Sequence, residues 1–460
     1  MRALLRFPLL LFPLLFNALA QPSDLDGKIS GKISTSLQQS GAPSVSVAVV
    51  DKGKLVYAKA FGVADLAAGR QAGPGTRYAV GSISKQFTAV ALLLLQEQGK
   101  LSLDDKVSKY FPDLTRASEI TIRQLLTHVS GYEDYAPQDY IIPEWTKPTH
   151  PKAILDRWAR KPLNFDPGTR WQYSNTNYVL AGEIFEKVSG QPLVAFLRQT
   201  VFSPLAMTSA GDCSEASPAD AVAYTRYALG PARPAGREAP GWYSAAGELC
   251  MTSSDLARWD IAFLEKKILS AASYEEFTRE MKLSNGDLTH YALGLQLGDL
   301  NGIPAVSHGG EVSGFLASNT VFPTRKGAVV TLSNVDGVSF LGPLTRQIAM
   351  QLFLSDQPPE ADAATGQVRR ILKGLRKGRV DRELLTSNAN SYFSETALTD
   401  CKTSLTKLGK LKSVMRSNES LRGGMIHRTY RAEYEKKTVL VNIYVTPEGK
   451  YEQFMVMNQL

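Results

Sequence analysis

The sequence contains few residues of the kinds that most often bind metals or form redox centres. Of its 460 residues, three are cysteine and five are histidine. No Cys-x-x-Cys pair occurs, and the histidines are scattered along the chain. Because metal sites need closely spaced groups of such ligands, we expect no metal ion and no other cofactor.

The sequence also lacks dense charge of one sign. Its 52 lysine and arginine residues outnumber its 44 aspartate and glutamate residues, which gives a formal net charge of +8. No block of five or more like charges occurs, and the excess is small for a chain of this length. We therefore predict no nucleic-acid partner, and a solvated basic surface is the favoured interpretation.

Long hydrophobic runs are missing beyond the first twenty residues. The run at residues 89–95 is far shorter than the roughly 20 residues that cross a membrane, so no transmembrane anchor is predicted. The first residues have the pattern of a secretory signal peptide: two arginines, an apolar run at residues 7–16 and small residues at 18 and 20. We expect cleavage after Ala20 and a periplasmic or secreted protein.

The three cysteines leave two interpretations open. In an oxidising compartment Cys213 and Cys250 pair as a disulfide, and Cys401 remains as the odd thiol. In the alternative, all three are free and partly buried thiols. The sequence favours neither interpretation.

The order of predicted elements indicates a large domain followed by a small one. Residues 21–354 combine a first helix and a hairpin with a helix-rich middle and several late strands, which favours an α/β (α+β) fold with an antiparallel sheet and a helical lobe. A linker is predicted at residues 355–367 from its composition. Residues 368–460 are predicted as a small α+β domain without a catalytic motif. Predicted helices cover residues 24–39 and 368–386, and predicted strands cover residues 44–50, 55–61, 291–296, 305–308, 315–323, 327–334, 424–434, 438–445 and 451–457.

Ser82 and Lys85 form the first candidate catalytic pair. With the spacing Ser-x-x-Lys they open a predicted apolar helix that runs to Gly99, so the amine would lie beside the hydroxyl. Backbone N–H groups at a helix N-terminus would also stabilise an oxyanion. The spacing alone is weak evidence, since a capping serine and a surface lysine are common. Ser404 and Lys407 repeat it, and we interpret this second copy as accidental.

Tyr173 and Asn175 form the second candidate pair. They follow a Pro-Gly turn at residues 167–168, on a loop that enters a predicted helix. Because an opposite charge favours the ionised phenol, we expect Lys85 to lower the pKa of Tyr173. The two groups together would then remove the proton of Ser82. The Asn175 amide both donates and accepts, so it can bridge neighbouring groups. The alternative is a half-buried loop tyrosine and a helix-capping asparagine.

The third candidate element is the run from His308 through Gly309 and Gly310 to Glu311, after a short predicted strand. Two successive glycines allow a backbone to approach another group closely, so a substrate carbonyl would lie against this strand. The N–H of Glu311 would be a second oxyanion donor beside that of Ser82. The alternative is a glycine-rich turn with a chance histidine.

In this order, Ser-x-x-Lys, Tyr-x-Asn and His-Gly-Gly resemble the three motifs of the serine β-lactamase and penicillin-binding protein superfamily. The chain resembles the class C and esterase-like branch of this superfamily. The resemblance covers about residues 25–350 and includes the runs at 121–131, 247–259 and 291–294. The fold that it implies is a helical lobe against a mixed α/β lobe, with the site in the cleft between them.

The resemblance implies a role for each motif residue. Ser82 would be the acyl nucleophile, Lys85 its general base or proton shuttle, and Tyr173 the partner base and leaving-group acid. Asn175 would orient Lys85 and the substrate, and His308 would line the far wall.

The chain departs from the lactamase pattern in the third motif, where lactamases usually carry a lysine that suits a substrate carboxylate. An unperturbed histidine has a pKa of about 6.5 and is often neutral near pH 7. We therefore expect weak β-lactam hydrolysis at most, unless a nearby carboxylate keeps His308 protonated. His128 and Ser130 are expected to be structural and to hold a loop behind the site.

These implications predict a secreted serine hydrolase that acts through an acyl-enzyme on an ester or amide, as a carboxylesterase or a D-amino-acid peptidase. The alternative is a catalytically weak or inactive penicillin- or peptidoglycan-binding protein on the same scaffold. The expected partner is a small-molecule or peptide substrate, with the cell wall as one source. The oligomeric state is left open.

Overall fold

The architecture comes from a computed structural model that describes residues 23–458, except residues 139, 228–229, 355–362 and 423–424. The predicted signal peptide lies outside the described residues, and so does the first part of the predicted linker. In the part of the chain that is described, no helix combines the length and the apolar character needed to cross a membrane.

The described residues form helices α1 to α12 and strands β1 to β16. The helices are α1 Ser23–Ser40, α2 Ser84–Glu97, α3 Ile122–Leu126, α4 Pro151–Ile154, α5 Asn175–Ser189, α6 Leu193–Leu197, α7 Ser253–Leu264, α8 Ala271–Phe277, α9 Leu341–Ala349, α10 Ala363–Leu375, α11 Ser387–Tyr392 and α12 Glu395–Lys407. The strands are β1 Ser44–Asp51, β2 Lys54–Asp65, β3 Arg70–Gln71, β4 Tyr78–Ala79, β5 Gly211–Asp212, β6 Tyr224–Thr225, β7 Arg233–Pro234, β8 Leu249–Met251, β9 Gln296–Leu300, β10 Ile303–Val312, β11 Phe315–Phe322, β12 Gly327–Ser333, β13 Leu411–Arg422, β14 Met425–Tyr434, β15 Thr438–Val445 and β16 Tyr451–Asn458. Short 3₁₀ turns lie at Gly81–Ile83, Val107–Lys109, Pro143–Thr146, Pro323–Arg325 and Arg382–Leu384, and π-helical segments lie at Leu155–Ala159, Arg198–Phe202 and Met350–Leu354.

Seven strands form one antiparallel sheet in the order β3-β2-β1-β12-β11-β10-β9. Successive residues of a strand point to opposite faces of its sheet, and β1 places apolar residues on both faces. Ala48 and Val50 belong to the core shared with the helical lobe. Val45, Val47 and Val49 belong to a second core under α1 and α9. Because both faces are covered, β1 is a central strand whose residues are buried on either side.

Helix α2 is the central helix of the helical lobe and packs against α5, α6 and α8. Nearly all of its residues are buried, as expected for a helix that is apolar on every side. The predicted helix is therefore confirmed, but its start was predicted wrongly. Ser82 lies in the 3₁₀ turn Gly81–Ile83, and α2 begins at Ser84. The turn places Ser82 just before the helix rather than in its first turn.

The predicted α/β (α+β) class with an antiparallel sheet and a helical lobe is confirmed. The predicted hairpin at residues 44–61 and the strands near residues 305, 315 and 327 all occur in the large sheet. The strand predicted at residues 291–296 is wrong, because these residues form an irregular segment with a single bridge and β9 begins at Gln296.

The last part of the chain forms a second sheet, in the order β13-β14-β15-β16. Helices α10 and α12 and this sheet share a separate hydrophobic cluster that includes Val368, Leu372, Tyr430 and Val441. Strand β13 was not predicted, because polar residues dominate its sequence. The basic helix predicted at residues 368–386 is shorter and is α10, which begins within the predicted linker. The domain boundaries stay predictions.

Candidate active site

Strand β10 runs close to the turn that carries Ser82, and two glycines permit this approach. Gly81 has a φ of +50° and would place a Cβ 2.8 Å from the backbone nitrogen of Glu311. A Cβ on Gly310 would collide with the carbonyl oxygen of Val80. Since neither position has room for a side chain, the two backbones can meet. The amide of Glu311 therefore lies beside the residue that precedes Ser82.

Lys85 lies in the first turn of α2 and is fully buried. Its Nζ atom contacts three oxygens: Ser82 Oγ at 2.9 Å, Asn175 Oδ1 at 2.8 Å and the carbonyl oxygen of Ala246 at 2.7 Å. The last two groups accept hydrogen bonds from the amine and fix its position. The predicted pairing of Ser82 with Lys85 is therefore present in the structure.

Burial lowers the pKa of Lys85 to about 7, and the charge of Asp134 acts in the opposite direction. A buried amine loses its proton readily because the low-dielectric interior disfavours the charged form. Near pH 7 a large fraction of Lys85 is therefore the neutral amine. In that form Nζ can accept the proton of the Ser82 hydroxyl.

Asn175, the first residue of α5, is held by Asp134. Its backbone N–H and its side-chain Nδ2 both donate to Asp134 Oδ1, at 2.9 and 3.2 Å. The backbone N–H of Ala136 donates to the same oxygen at 3.1 Å. Burial raises the pKa of Asp134, although these hydrogen bonds and the charge of Lys85 oppose the shift. The asparagine thus orients the amine as expected, with a carboxylate behind it.

Tyr173 lies beside Lys85, whose Nζ is 4.9 Å from the centre of the phenol ring. The expectation that Lys85 lowers the pKa of Tyr173 is wrong. Withdrawal of the phenol from water raises its pKa well above the usual value, and the hydrogen bond with Ser82 opposes this only in part. A buried neutral amine supplies no charge that could stabilise a phenolate. Tyr173 is therefore arranged to donate a proton, while Lys85 is arranged to accept one.

Among the described residues, neither hydrogen-bond partner of His308 is a carboxylate. Its Nε2 atom hydrogen-bonds the hydroxyl of Tyr291 at 2.8 Å, and its Nδ1 atom contacts the carbonyl oxygen of Gly309 at 2.6 Å. Burial, followed by the charge of Lys85, lowers the pKa of His308 to about 4. The imidazole is therefore neutral at pH 7, and the alternative of a protonated His308 is wrong.

His128 and Ser130 lie behind the site. The His128 ring packs against Tyr173 with 4.3 Å between ring centres, and its Nδ1 atom accepts a hydrogen bond from the backbone of Ser174 at 3.2 Å. Ser130 Oγ donates to Asn177 Oδ1 at 2.6 Å. Both residues connect the loop after α3 to the start of α5, which supports the structural role expected for them.

The predicted residues meet in a cleft of about 920 Å³. Lys85 lies beneath this cleft and contacts three of its lining residues, Ser82, Asn175 and Ala246. All three sequence elements therefore converge on one place. The predicted residues that line the cleft are Ser82, Tyr173, Asn175, His308, Gly309, Gly310 and Glu311.

Comparison with known proteins identifies the family of this chain. A family model described as Beta-lactamase matches residues 29–351. The chain belongs to the beta-lactamase family. The match contains all three motifs, so the resemblance to the serine β-lactamase and penicillin-binding protein superfamily is confirmed.

Curated relatives of this beta-lactamase-family chain include penicillin-binding proteins. Penicillin-binding protein 4* of Bacillus subtilis is 29% identical over 313 residues, which are 63% of this chain and 67% of the relative. Protein flp of Staphylococcus aureus is 26% identical over 324 residues, which are 68% of this chain and 64% of the relative. Both alignments are long enough to span most of the large domain that was predicted.

Solved structures extend the comparison. A D-stereospecific amidohydrolase from Streptomyces sp. is 26% identical, with a TM-score of 0.61 and coverage of 71% of this chain and 98% of that chain. An octameric penicillin-binding protein homologue from Pyrococcus abyssi is 22% identical, with a TM-score of 0.64 and coverage of 94% and 99%. The similarity to the Pyrococcus abyssi homologue concerns the fold, and the region it covers includes the C-terminal sheet of this beta-lactamase-family chain.

The second Ser-x-x-Lys copy has no comparable surroundings. Ser404 lies within α12, and its hydroxyl donates to the carbonyl oxygen of Asp400 at 2.6 Å. Such a bond to the preceding helical turn is common for a surface serine. Neither Ser404 nor Lys407 lines the cleft, which supports the interpretation of this copy as accidental.

Three residues of the site were not singled out from the sequence. Asp134 holds Asn175, and Tyr291 holds His308. Glu238 lines the cleft and accepts hydrogen bonds from Ser313. Tyr291 begins one of the runs that carried the family resemblance, so its neighbourhood was recognised. Asp134 and Glu238 lie on loops and had no sequence signal.

The loop that forms one wall of the cleft is closed by a disulfide. Cys213 and Cys250 are bonded, with 4.9 Å between their Cα atoms, and Cys401 is free. Of the two interpretations left open by the sequence, the paired one is present. The closed loop contains Glu238 and Ala246, the carbonyl partner of Lys85. In this beta-lactamase-family chain the disulfide therefore closes a segment that carries two residues lining the cleft.

Proposed function

We propose that the chain is a serine acyl hydrolase that cleaves esters or amides through an acyl-enzyme. The observation that carries the proposal is the 2.9 Å contact between Lys85 Nζ and Ser82 Oγ, together with a Lys85 pKa of about 7. A nucleophile within hydrogen-bond distance of a base that is substantially unprotonated at pH 7 is the arrangement that acyl transfer requires.

In the acylation step, Ser82 Oγ forms a bond to the substrate carbonyl carbon while its proton passes to Lys85 Nζ. The backbone N–H groups of Ser82 and Glu311 are proposed to stabilise the oxyanion. The phenol of Tyr173 then donates its proton to the leaving oxygen or nitrogen as the scissile bond breaks. Tyr173 regains a proton from Lys85, which restores the neutral amine.

In the deacylation step, a water molecule attacks the same carbonyl carbon. The water proton passes through the Lys85 and Tyr173 network, the bond to Ser82 Oγ breaks, and the hydroxyl is re-formed. The hydrogen bonds from Lys85 to Asn175 and Ala246 keep the amine in place during both steps. No further group is required for the proton balance.

Neutral or cationic substrates are favoured over β-lactams and other carboxylates. His308 is neutral at pH 7 because its pKa is about 4. Among the described residues that line the cleft there is no lysine or arginine. A substrate carboxylate would thus lose its hydration without gaining a charged partner. The similarity to a D-stereospecific amidohydrolase supports amides of D-amino acids as one substrate class.

We further propose an exported protein with two domains. The signal-peptide pattern that ends at Ala20 and the disulfide between Cys213 and Cys250 both support an oxidising compartment. The separate hydrophobic cluster of the C-terminal sheet supports a second domain after residue 367. Cell-wall peptides are one source of substrate in such a compartment.

Covalent labelling tests the nucleophile. The purified protein should react with a fluorophosphonate probe, and Ser82→Ala should abolish both labelling and ester turnover. Ser404→Ala is the matched control and should label like the wild type. Loss of labelling in the Ser404 variant, or labelling that persists in the Ser82 variant, would refute the assignment.

A substrate panel separates the enzyme from a binding protein. Short-chain esters, D-alanyl peptides and nitrocefin are compared at equal concentration with the wild type and Ser82→Ala. We expect ester or amide turnover that depends on Ser82 and little turnover of nitrocefin. Peptidoglycan binding without any turnover would support the catalytically idle alternative instead.

A further inference from the structure

The charge of the cleft is one-sided. Asp134, Glu238 and Glu311 line it, whereas no lysine or arginine does so among the described residues. Lys85 is buried beneath the cleft floor and engaged with Ser82 and Asn175. Carboxylates in a concave site concentrate a negative potential there. A cationic ligand is therefore favoured over an anionic one.

Glu238 is the carboxylate that is best placed to contact a ligand. Its Oε1 atom accepts hydrogen bonds from the backbone N–H of Ser313 at 3.3 Å, from the Ser313 hydroxyl and from the Tyr243 hydroxyl. Its Oε2 atom accepts none from the described residues. One oxygen is thus fixed by three donors, which orients the side chain, and the other oxygen remains available to a donor in the cleft.

The other two acidic residues are less suited to this task. Asp134 Oδ1 already accepts three N–H groups from Asn175 and Ala136 and serves to orient the catalytic asparagine. Glu311 is exposed at the edge of the cleft, where salt and water screen its charge. Glu238 is partly buried, so its charge acts over a short distance with less screening.

The position of Glu238 indicates which part of a substrate it would contact. Tyr173, the proposed leaving-group acid, packs near His308, with 6.3 Å between their ring centres. Glu238 binds Ser313, which follows the other end of β10. Glu311, beside the turn of Ser82, lies between them in the strand. A leaving group beside Tyr173 would lie at the His308 side of the cleft, and the acyl part of the substrate would then extend towards Glu238.

We propose that Glu238 binds a primary ammonium group on the acyl part of the substrate, so that the preferred substrates are esters or amides of amino acids or peptides with a free amine. This inference rests on the proposed acyl-hydrolase function and adds a substrate class to it. An ammonium group offers three donors, and a charge-assisted hydrogen bond to Oε2 is stronger than a neutral one.

A pair of matched substrates tests the inference. The methyl esters of D-alanine and N-acetyl-D-alanine differ in the charge of the amine, as do the corresponding p-nitroanilides. The wild type should prefer the free amine in kcat/KM. Glu238→Gln, which keeps an oxygen acceptor for Ser313 and Tyr243, should lower that preference about tenfold or more, since a hydrogen bond to a charged group contributes about 1.5–3 kcal/mol.

A control variant on the same loop excludes a general effect of charge or folding. Glu215 also lies in the loop closed by Cys213 and Cys250, pairs with Arg198 at 2.6 Å and does not line the cleft. Glu215→Gln should leave the preference for the free amine unchanged. Thermal unfolding of both variants by circular dichroism should show that each is folded.

A binding measurement separates this inference from the proposed function. Calorimetric titration of Ser82→Ala with D-alaninamide and N-acetyl-D-alaninamide requires no turnover, and tighter binding of the free amine that is lost with Glu238→Gln supports the inference. Equal binding of both compounds overturns the inference. It is also overturned if Glu311→Gln removes the preference for the free amine and Glu238→Gln does not. Absence of ester and amide turnover in the wild type refutes the hydrolase while leaving the binding result to decide the ammonium site.

Discussion

Asp134 holds Asn175 through two separate amides: the backbone N–H at 2.9 Å and the side-chain Nδ2 at 3.2 Å both donate to Asp134 Oδ1. This leaves Asn175 Oδ1 pointing at Lys85, 2.8 Å from its Nζ. The carboxylate therefore determines which end of the asparagine amide meets the amine. Its charge also raises the pKa of Lys85 against the effect of burial.

Asp134→Asn should change both the orientation of Asn175 and the pKa of Lys85. Without the negative charge the pKa of Lys85 should fall further, so the acidic limb of kcat/KM against pH should move to lower pH. The looser Asn175 should also lower kcat/KM on the plateau, by about tenfold if one oriented hydrogen bond to a charged group is weakened. A pH profile with a methyl ester measures both effects. An acidic limb that moves to higher pH would contradict the assigned role.

The wild-type pH profile should follow Lys85. The base must be unprotonated to accept the proton of Ser82, and burial lowers its pKa to about 7. Ester turnover should therefore be low below pH 6 and should rise through about pH 7 to a plateau. Because kcat/KM reports groups of the free enzyme, this parameter is the one to measure. Lys85→Ala should lower it about 10³-fold, as expected for the loss of a general base, and a retained acidic limb in that variant would exclude Lys85 as its origin.

Tyr173→Phe should affect amides more than activated esters. Burial keeps the phenol protonated, so its proposed task is to donate a proton to the leaving group. A p-nitrophenolate needs no such proton, whereas an amine does. We expect a loss of about 100-fold for a p-nitroanilide or peptide and a smaller loss for a p-nitrophenyl ester. Equal losses would instead assign Tyr173 to the activation of Ser82.

His308→Lys should shift selectivity towards carboxylates. The neutral imidazole lies in the wall of the cleft, and a lysine there would provide the fixed charge that the present site lacks. The ratio of nitrocefin to methyl ester turnover should rise, by about tenfold for one added ion pair in a partly desolvated site. His308→Gln is the neutral control and should leave the ratio low. No change with lysine would mean that other parts of the cleft exclude β-lactams.

Removal of the disulfide should destabilise the protein. The bond between Cys213 and Cys250 closes a segment with a sequence separation of 37, for which about 4 kcal/mol of stabilisation is expected. The double serine variant should show a lower denaturant midpoint by urea titration, and it should also lose activity, because the segment carries the carbonyl that holds Lys85. Cys401→Ser should change neither. If a reductant lowers the urea midpoint of the double variant further, the destabilisation has a cause other than loss of this disulfide.

The fold was predictable from the sequence where periodicity or continuous apolar runs are strong. Strands β1 and β2 flank a turn sequence, and α2 contains the apolar run at residues 89–95, so both were recognised. Strand β13 was missed because polar residues dominate its sequence, whereas pairing with β14 and burial of Val414 in the C-terminal core define it. Residues 291–296 were assigned to a strand on β-propensity, but tertiary contacts of Tyr291 hold them in an irregular conformation.

The site was predictable where chemistry follows local spacing. Ser82 and Lys85 are one turn apart, so their contact follows from chain geometry. The direction of the Tyr173 pKa shift was predicted wrongly, because the sequence does not reveal how completely the phenol is withdrawn from water. Glu238 reaches Ser313 across 75 residues of chain, and only the folded loop brings the two together.

The pairing of β1 with β12 has a kinetic consequence. Strand β1 lies near the beginning of the chain, yet its partner β12 ends at Ser333. Contacts between residues so distant in sequence slow folding, and during synthesis β1 has only its hairpin partner until β12 emerges. The sheet, and with it the strand that borders Ser82, can be completed only after the ribosome has passed residue 333.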